Sequence, residues 1–247
     1  MSKDKPLAGR TALVTGGGVG IGRGIADELA GLGADVVVTY LTHPVDDADG
    51  AAFEAIRVDA TQETEVAQAV ADIVAGHGRI DILVNNVGGL IGRHRIDEMS
   101  FDHWRTVLAV NLDSMFLFTH YVLPHMTGGW GRIVNVSSLA GRNGGGNGST
   151  AYAATKAAVL GFTRGLSKEV APDGITVNAV APGLILATPF HETFTPLDSQ
   201  QATIASLPVG RAGYPADVAA PVGWLCTEAS GFITGAVIDI NGGQYFI

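Results

Sequence analysis

Cysteine is almost missing from this 247-residue chain. Cys226 stands alone, which excludes an internal disulfide framework and a cysteine-built metal site. A lone thiol suits a reducing compartment. Positive charge is scarce as well: 15 Lys and Arg face 24 Asp and Glu, for a net charge of −9. So few cations offer little to a polyanion, and nucleic acid is not an expected partner. No uninterrupted apolar run approaches about 18 residues, so no membrane-spanning helix is expected. The start, Met1 to Pro6, runs into an apolar strand-like segment without a separate signal region, and a cytoplasmic location is expected. His120 and His125 are five apart with no carboxylate beside them, which is not a metal-ligand spacing; no metal site is expected.

Glycine is the surplus. There are 34, about twice the usual share, with no three-residue period, and 47% of residues are hydrophobic. Strand and helix signals alternate along the chain. Strand-like runs fall at 11–15, 35–40, 54–59, 80–85, 132–137, 175–180 and 236–240, and helical patterns after 16–22 to Leu32 and at 62–75, 100–126, 151–171 and 215–227. The near-continuous apolar strands predict a sheet buried on both faces. Together these predict one doubly wound α/β domain over 1–247, Rossmann-type, with a parallel seven-stranded sheet flanked by helices. Two stretches break the rhythm. The glycine-rich 139–150 reads as a loop, and 184–207, irregular and holding Pro189 and Pro196, reads as a substrate-binding loop.

After the first strand comes Thr15-Gly16-Gly17-Gly18-Val19-Gly20-Ile21-Gly22, opening a helix. Glycines there permit a tight turn and let backbone amides approach a pyrophosphate at a helix N-terminus. The spacing is G-x-x-x-G-x-G, and its place after the first strand of a βα alternation points to nucleotide binding. An acid at the end of the second strand would bind a ribose 2′-hydroxyl. That end reads Thr39-Tyr40-Leu41-Thr42-His43, with neither a carboxylate nor an Arg, which tilts the expectation to NADP(H) over NAD(H). Farther on, Tyr152 and Lys156 share one helix face, four residues apart. An ammonium beside a phenol favours the phenolate and would lower its pKa, making the pair a proton donor or acceptor.

These pieces, in order, resemble the short-chain dehydrogenase/reductase family over essentially the whole chain. They are T-G-x-x-x-G-I-G at 15–22, Val58-Asp59, Asn85-Asn86-Val87-Gly88, Asn111, Ser138, Tyr152-x-x-x-Lys156 and Pro182-Gly183. The resemblance implies hydride transfer between a nicotinamide cofactor and a ketone or secondary alcohol. Tyr152 would be the general acid/base, Lys156 would lower its pKa and bond the nicotinamide ribose, Ser138 would hold the substrate oxygen, and Asn111 would maintain a water-linked proton path. The cofactor would lie along Gly16, Gly18, Gly20, Ile21, Gly22, Tyr40, Thr42, Asp59, Asn86, Gly88, Tyr152, Lys156, Pro182, Gly183, Ile185 and Thr188. A homotetramer is also implied, with 100–126 and 151–171 at interfaces.

Departures from the family pattern bear on the substrate. Val87 replaces a smaller residue, the second helix is shortened to Leu41–Ala52 with Pro44 and Gly50 opposing it, and Ser138 to Tyr152 is one residue longer than usual, absorbed by Gly144–Gly146. The tail Asn241-Gly242-Gly243-Gln244-Tyr245-Phe246 looks like that of 3-oxoacyl-carrier-protein reductases. Docking an acidic carrier needs basic residues beside the active-site mouth. The segments Gly128-Gly129-Trp130 and Pro172-Asp173 carry none, so a general carbonyl reductase leads and the carrier-linked substrate is the runner-up. A non-catalytic nucleotide sensor is a minority alternative. Arg93-His94-Arg95 read as a solvated loop rather than an anion site, and Phe190, His191 and Phe194 as either a pocket lid or a subunit contact.

Overall fold

A computed structural model describes residues 5–43, 45 and 53–247; of these, the side chains of His191 and Glu192 are left aside. The strands are β1 (Thr11–Val14), β2 (Asp35–Tyr40), β3 (Glu54–Arg57), β4 (Ile82–Asn85), β5 (Gly131–Val136), β6 (Ile175–Pro182) and β7 (Val237–Ile240). They form a parallel seven-stranded sheet in the order β3-β2-β1-β4-β5-β6-β7. Alternate strand residues feed two cores, as the period of two requires. Ala12, Val14, Val36, Val38, Ile82 and Val84 pack with helices α1 (Gly20–Gly31) and α9 (Pro215–Leu225). Leu13, Val37, Leu83, Ile133 and Val177 pack with α2 (Glu63–His77), α4 (Ser114–Val122) and α6 (Thr150–Val170) on the other face. Each such aliphatic side chain contributes about 1.5–3 kcal/mol on burial. Cys226, the C-cap of α9, is wholly buried in the first core.

Order reverses between β1 and β4, one leading to β2 and the other to β5. A crevice opens there, outside the carboxyl ends of the strands. Every functional segment proposed from sequence lies at that edge or on a helix beginning there.

The expected helix 100–126 is instead composite. It runs as α3 (Phe101–Leu108), a π turn (Ala109–Asp113), α4 and a 3-10 turn (Leu123–His125), with Asn111 buried inside the π turn. Ser100 caps it by accepting a hydrogen bond from the His103 amide. By length and composition Phe101–His125 could cross a membrane. In the fold it is a core helix: Leu117, Phe118 and Val122 pack against the sheet. The loop expected at 139–150 contains a short helix, α5 (Ala140–Asn143), and the one at 184–207 contains α7 (Pro189–Phe194) and α8 (Leu197–Ser206). Proline marked both of the latter starts, at the first turn of α7 and the N-cap of α8. Their apolar residues are too few to show a period, and α8 buries none. The shortened second helix predicted at Leu41–Ala52 falls largely outside the described residues, Pro44 and Gly50 included.

Candidate active site

The crevice is a cavity of about 650 Å³ running from the glycine turn after β1 to Phe190 on α7. Its floor at one end is main chain. The turn reaches α1 through Gly20, held at φ +59°, a conformation glycine adopts without strain. The first turn of α1 has no side-chain cap and no acid, so its amides face the cavity unneutralised. That arrangement is complementary to a pyrophosphate. Gly16, Gly20, Ile21 and Gly22 all line the cavity. Gly18 does not: a Cβ there would lie 2.1 Å from the His43 carbonyl oxygen, so Gly18 admits the chain leaving β2 rather than a ligand.

Along the wall lie Tyr40, Asp59, Asn86, Gly88, Pro182, Gly183, Ile185 and Thr188, as expected from the sequence. Thr42 is outside it, exposed and bonded at 2.9 Å to the His43 ring; Leu41 and His43 face the cavity instead. Asn86 is fixed by Thr15, whose hydroxyl accepts from the Asn86 amide at 2.9 Å and whose carbonyl accepts from Asn86 Nδ2 at 2.9 Å. Asp59 Oδ1 accepts from the Thr61 amide at 2.9 Å and its hydroxyl at 2.7 Å. Thr61, Thr106, Ala109 and Val110 also line the wall and were missed; none belongs to a motif, and only the fold brings them there.

Deeper in, Ser137 and Ser138 follow the end of β5, and α6 presents Tyr152 and Lys156 into the same cavity. The Ser137 hydroxyl donates to the Lys156 carbonyl at 2.7 Å and Lys156 Nζ donates to the Val136 carbonyl at 2.9 Å, which docks α6 on β5. Lys156 Nζ stands 5.7 Å from the Tyr152 ring centre. Burial sets the proton affinities. It pushes the Tyr152 phenol up to about 12, against the opposing hydrogen bond with Ser138, and pulls the Lys156 ammonium down to about 8. For the Tyr152 phenol, desolvation is the larger influence and the hydrogen bond with Ser138 the opposing one.

Asn111 does not line the cavity. Its amide group donates to the Gly89 carbonyl at 2.8 Å and the Val107 carbonyl at 2.9 Å, and its oxygen accepts from the Gly89 amide at 3.0 Å. It ties the Asn86–Gly89 turn to the π turn. Gly88 completes the packing, for a Cβ there would stand 2.7 Å from Asn111 Oδ1 and 2.8 Å from Lys156 Nζ. Phe190 packs 5.7 Å from the Tyr152 ring, tilted to it, and edge-to-face at 5.6 Å from Phe194, in a cluster with Leu90, Val107 and Ala151. Phe190 lines the cavity, and Phe194 packs behind it; the His191 side chain is outside the described residues.

Gly128–Trp130 and Pro172–Asp173 precede β5 and β6, at the amino edge of the sheet and opposite the cavity. Within one chain they are not beside the mouth, and the electrostatic argument built on them against a carrier-linked substrate does not hold there.

An amide-lined cradle leading to a buried phenol and ammonium is built for oxidoreduction with a dinucleotide. Comparisons with known proteins agree. Residues 17–244 match a family described as enoyl-(acyl carrier protein) reductase. A 3-oxoacyl-(acyl-carrier-protein) reductase of Aquifex aeolicus is 39% identical over 97% of this chain and 98% of its own. An acetoacetyl-CoA reductase of Shinella zoogloeoides is 38% identical, with 96% and 99% covered. A solved structure of a blue fluorescent protein from a metagenomic library, in complex with NADPH, superposes with a TM-score of 0.87 at 32% identity, over 98% of this chain and 100% of that one. The chain belongs to the short-chain dehydrogenase/reductase family and is an NAD(P)-dependent oxidoreductase.

Proposed function

We propose that the enzyme reduces ketones with NADPH and that Tyr152 delivers the proton. The observation that carries this is geometric: Tyr152, Ser138 and Lys156 meet at the end of a dinucleotide-sized cavity. Protonated at neutral pH, the Tyr152 phenol would give its proton in reduction and take it back in the reverse reaction. Ser138 is placed by the Ala140 amide, which donates to its hydroxyl oxygen at 3.1 Å, and that hydroxyl would hold the substrate oxygen. Lys156 stays charged below pH of about 8 and favours the developing phenolate. Asn111 acts through the Gly88–Gly89 turn that shapes the wall beside Lys156. Bound in the cradle, the cofactor would supply the hydride. Gly16, Gly20, Ile21 and Gly22 would hold its phosphates, Tyr40 and Asp59 would border the adenosine, and Asn86, Pro182, Gly183, Ile185 and Thr188 would line the nicotinamide end. The 184–207 segment would bound the substrate.

The absence of an acid in Thr39–His43 and the NADPH complex of a structural relative support NADP(H) over NAD(H). A 3-oxoacyl thioester is the second reading, favoured by the names of the relatives. One steady-state screen separates them: simple ketones, 3-oxoacyl-CoA and 3-oxoacyl carrier-protein thioesters, each with NADPH and NADH. Reduction confined to thioesters selects the second reading, and failure with every substrate and both cofactors sinks the enzyme as described. A homotetramer acting in the cytoplasm is part of this reading, and the exposed apolar residues Phe101, Phe116, Trp224, Phe232 and Phe246 support its interfaces. Sedimentation equilibrium at four chain masses is the expected result; a monomer would contradict it.

A further inference from the structure

The basic loop Arg93-His94-Arg95 takes no part in the proton relay, yet the structure gives one of its members a specific place. Arg95 is solvated and paired with Asp97 at 3.1 Å. Arg93, though exposed, is held at the surface by two main-chain carbonyls. Its guanidinium donates to the Asn147 carbonyl at 3.0 Å, in the glycine-rich segment before α6, and to the Phe194 carbonyl at 3.4 Å, at the end of α7. Two segments 47 residues apart (194 − 147) thus share one side chain.

The backbone around Arg93 is shaped for this. Ile91, β-branched, sits at φ +65°. That conformation costs a non-glycine residue about 1–2 kcal/mol and persists only where neighbours enforce it. Here both flanks are fastened: the Gly89 amide donates to Asn111 at 3.0 Å, and the His94 amide donates to the Gly148 carbonyl at 3.0 Å. The missing side chain of Gly148 makes the space, for a Cβ there would stand 3.1 Å from both Arg93 Cβ and the His94 amide nitrogen.

From Phe194 the contacts continue through ring packing, 5.6 Å to Phe190 and then 5.7 Å to Tyr152. We propose that Arg93 is a positioning residue that straps α7 to the glycine-rich loop, setting the aromatic wall over Tyr152 and so selecting ketones with a bulky apolar substituent. Leu90, Val107 and Ala151 are the buried apolar members of the same cluster. An aryl or long alkyl group would rest on that wall, with its carbonyl toward the Tyr152 hydroxyl. A small ketone reaches the hydroxyl without needing the wall. This substrate preference rests on the proposed ketone reduction; the strap itself does not.

The test therefore has two arms, using the full-length protein and Arg93→Ala and Arg93→Lys variants. In the first, chymotrypsin cleavage after Phe190 and Phe194 is followed by mass spectrometry with and without NADPH. Arg93→Ala should be cut about tenfold faster at these positions, with unchanged melting temperature, and Arg93→Lys, able to reach one carbonyl, should fall between; tenfold corresponds to about 1.4 kcal/mol. Equal cleavage rates overturn the strap, whatever the enzyme reduces. In the second, KM and kcat are measured for butanone and acetophenone. Arg93→Ala should raise KM for acetophenone about tenfold more than for butanone, with kcat changing little and Arg93→Lys partly restoring the difference. Equal loss on both ketones overturns the selection of bulk. If the wild type reduces neither ketone, the selectivity falls with the ketone reading, and the cleavage arm still decides the strap.

Discussion

The two edges of the sheet differ in the charge they leave unpaired. At the amino edge charges neutralise one another. Asp81, wholly buried, accepts from the Thr11 amide and from Arg10 Nη1, both at 3.0 Å, and pairs with Arg79 as well. Trp130 lies between Arg10 and Arg132, 3.7 and 4.2 Å from its ring centre. His77 closes α2 onto the starts of β2 and β3, bonding Asp35 at 2.8 Å and Glu54 at 3.2 Å. At the carboxyl edge Lys156 is buried with a carbonyl as its hydrogen-bond acceptor, and no carboxylate pairs with it among the described residues. One edge uses its charges to fasten strands. The other fastens β7 by Arg142 on Asp239 at 3.1 Å, but leaves an ammonium and a phenol with displaced proton affinities, as sites of proton chemistry do.

Substitutions on each edge should therefore separate activity from stability. The largest effect is expected from Tyr152→Phe: kcat should fall about 10³-fold, roughly 4 kcal/mol of barrier, while melting temperature and NADPH affinity hold steady. A parallel loss of cofactor binding would mean that the ring, not the hydroxyl, is what matters. On the opposite edge Asp81→Ala leaves Arg10 and Arg79 without their buried partner and should cost about 3 kcal/mol in urea unfolding, with kcat per folded molecule unchanged. Gly88→Ala pushes a methyl toward Asn111 and Lys156 and should lower kcat/KM about tenfold, by displacing the ammonium. With wild type, kcat/KM for reduction should decline as pH rises through about 8, where Lys156 loses its charge.

The smallest effect concerns His77. Burial opposes its charge, but hydrogen bonds and attraction from Glu54 and Asp35 raise its pKa above 6.5. The stabilisation is then full below pH 6.5 and is lost as pH climbs through the raised value. With both carboxylates largely exposed it should stay under about 1 kcal/mol. Unfolding of His77→Gln compared at pH 6 and pH 9 should show a deficit only at the lower pH.

What could be read from residues alone follows the same division. The central strands were legible because they are short apolar runs buried on both faces, as Val36–Val38 shows with no exposed member, whereas β3, largely exposed, was legible only through the alternation of strands and helices. Gly16 to Gly22 and Tyr152 with Lys156 were legible because the chemistry needs those types at those spacings. Asn111 was named, but its working partners, the main chain of Gly89 and Val107, carry no residue signature. Spacing showed the charge near Tyr152 but not the burial that pushes its phenol up. Helices α7 and α8 were hidden because a surface helix with little to bury needs no apolar period. The placement of Gly128–Trp130 was misread because strand direction decides which edge a loop occupies.

Cys226 adds a practical property. Its thiol is completely enclosed by the core, and burial pushes its pKa up to about 12. It is also the one cysteine in the chain. Alkylating reagents meet a closed door in the native fold, so labelling proceeds at the frequency with which α9 parts from the sheet. Each chain thus carries a built-in clock for its own opening, read as one mass increment per molecule, with no engineered probe.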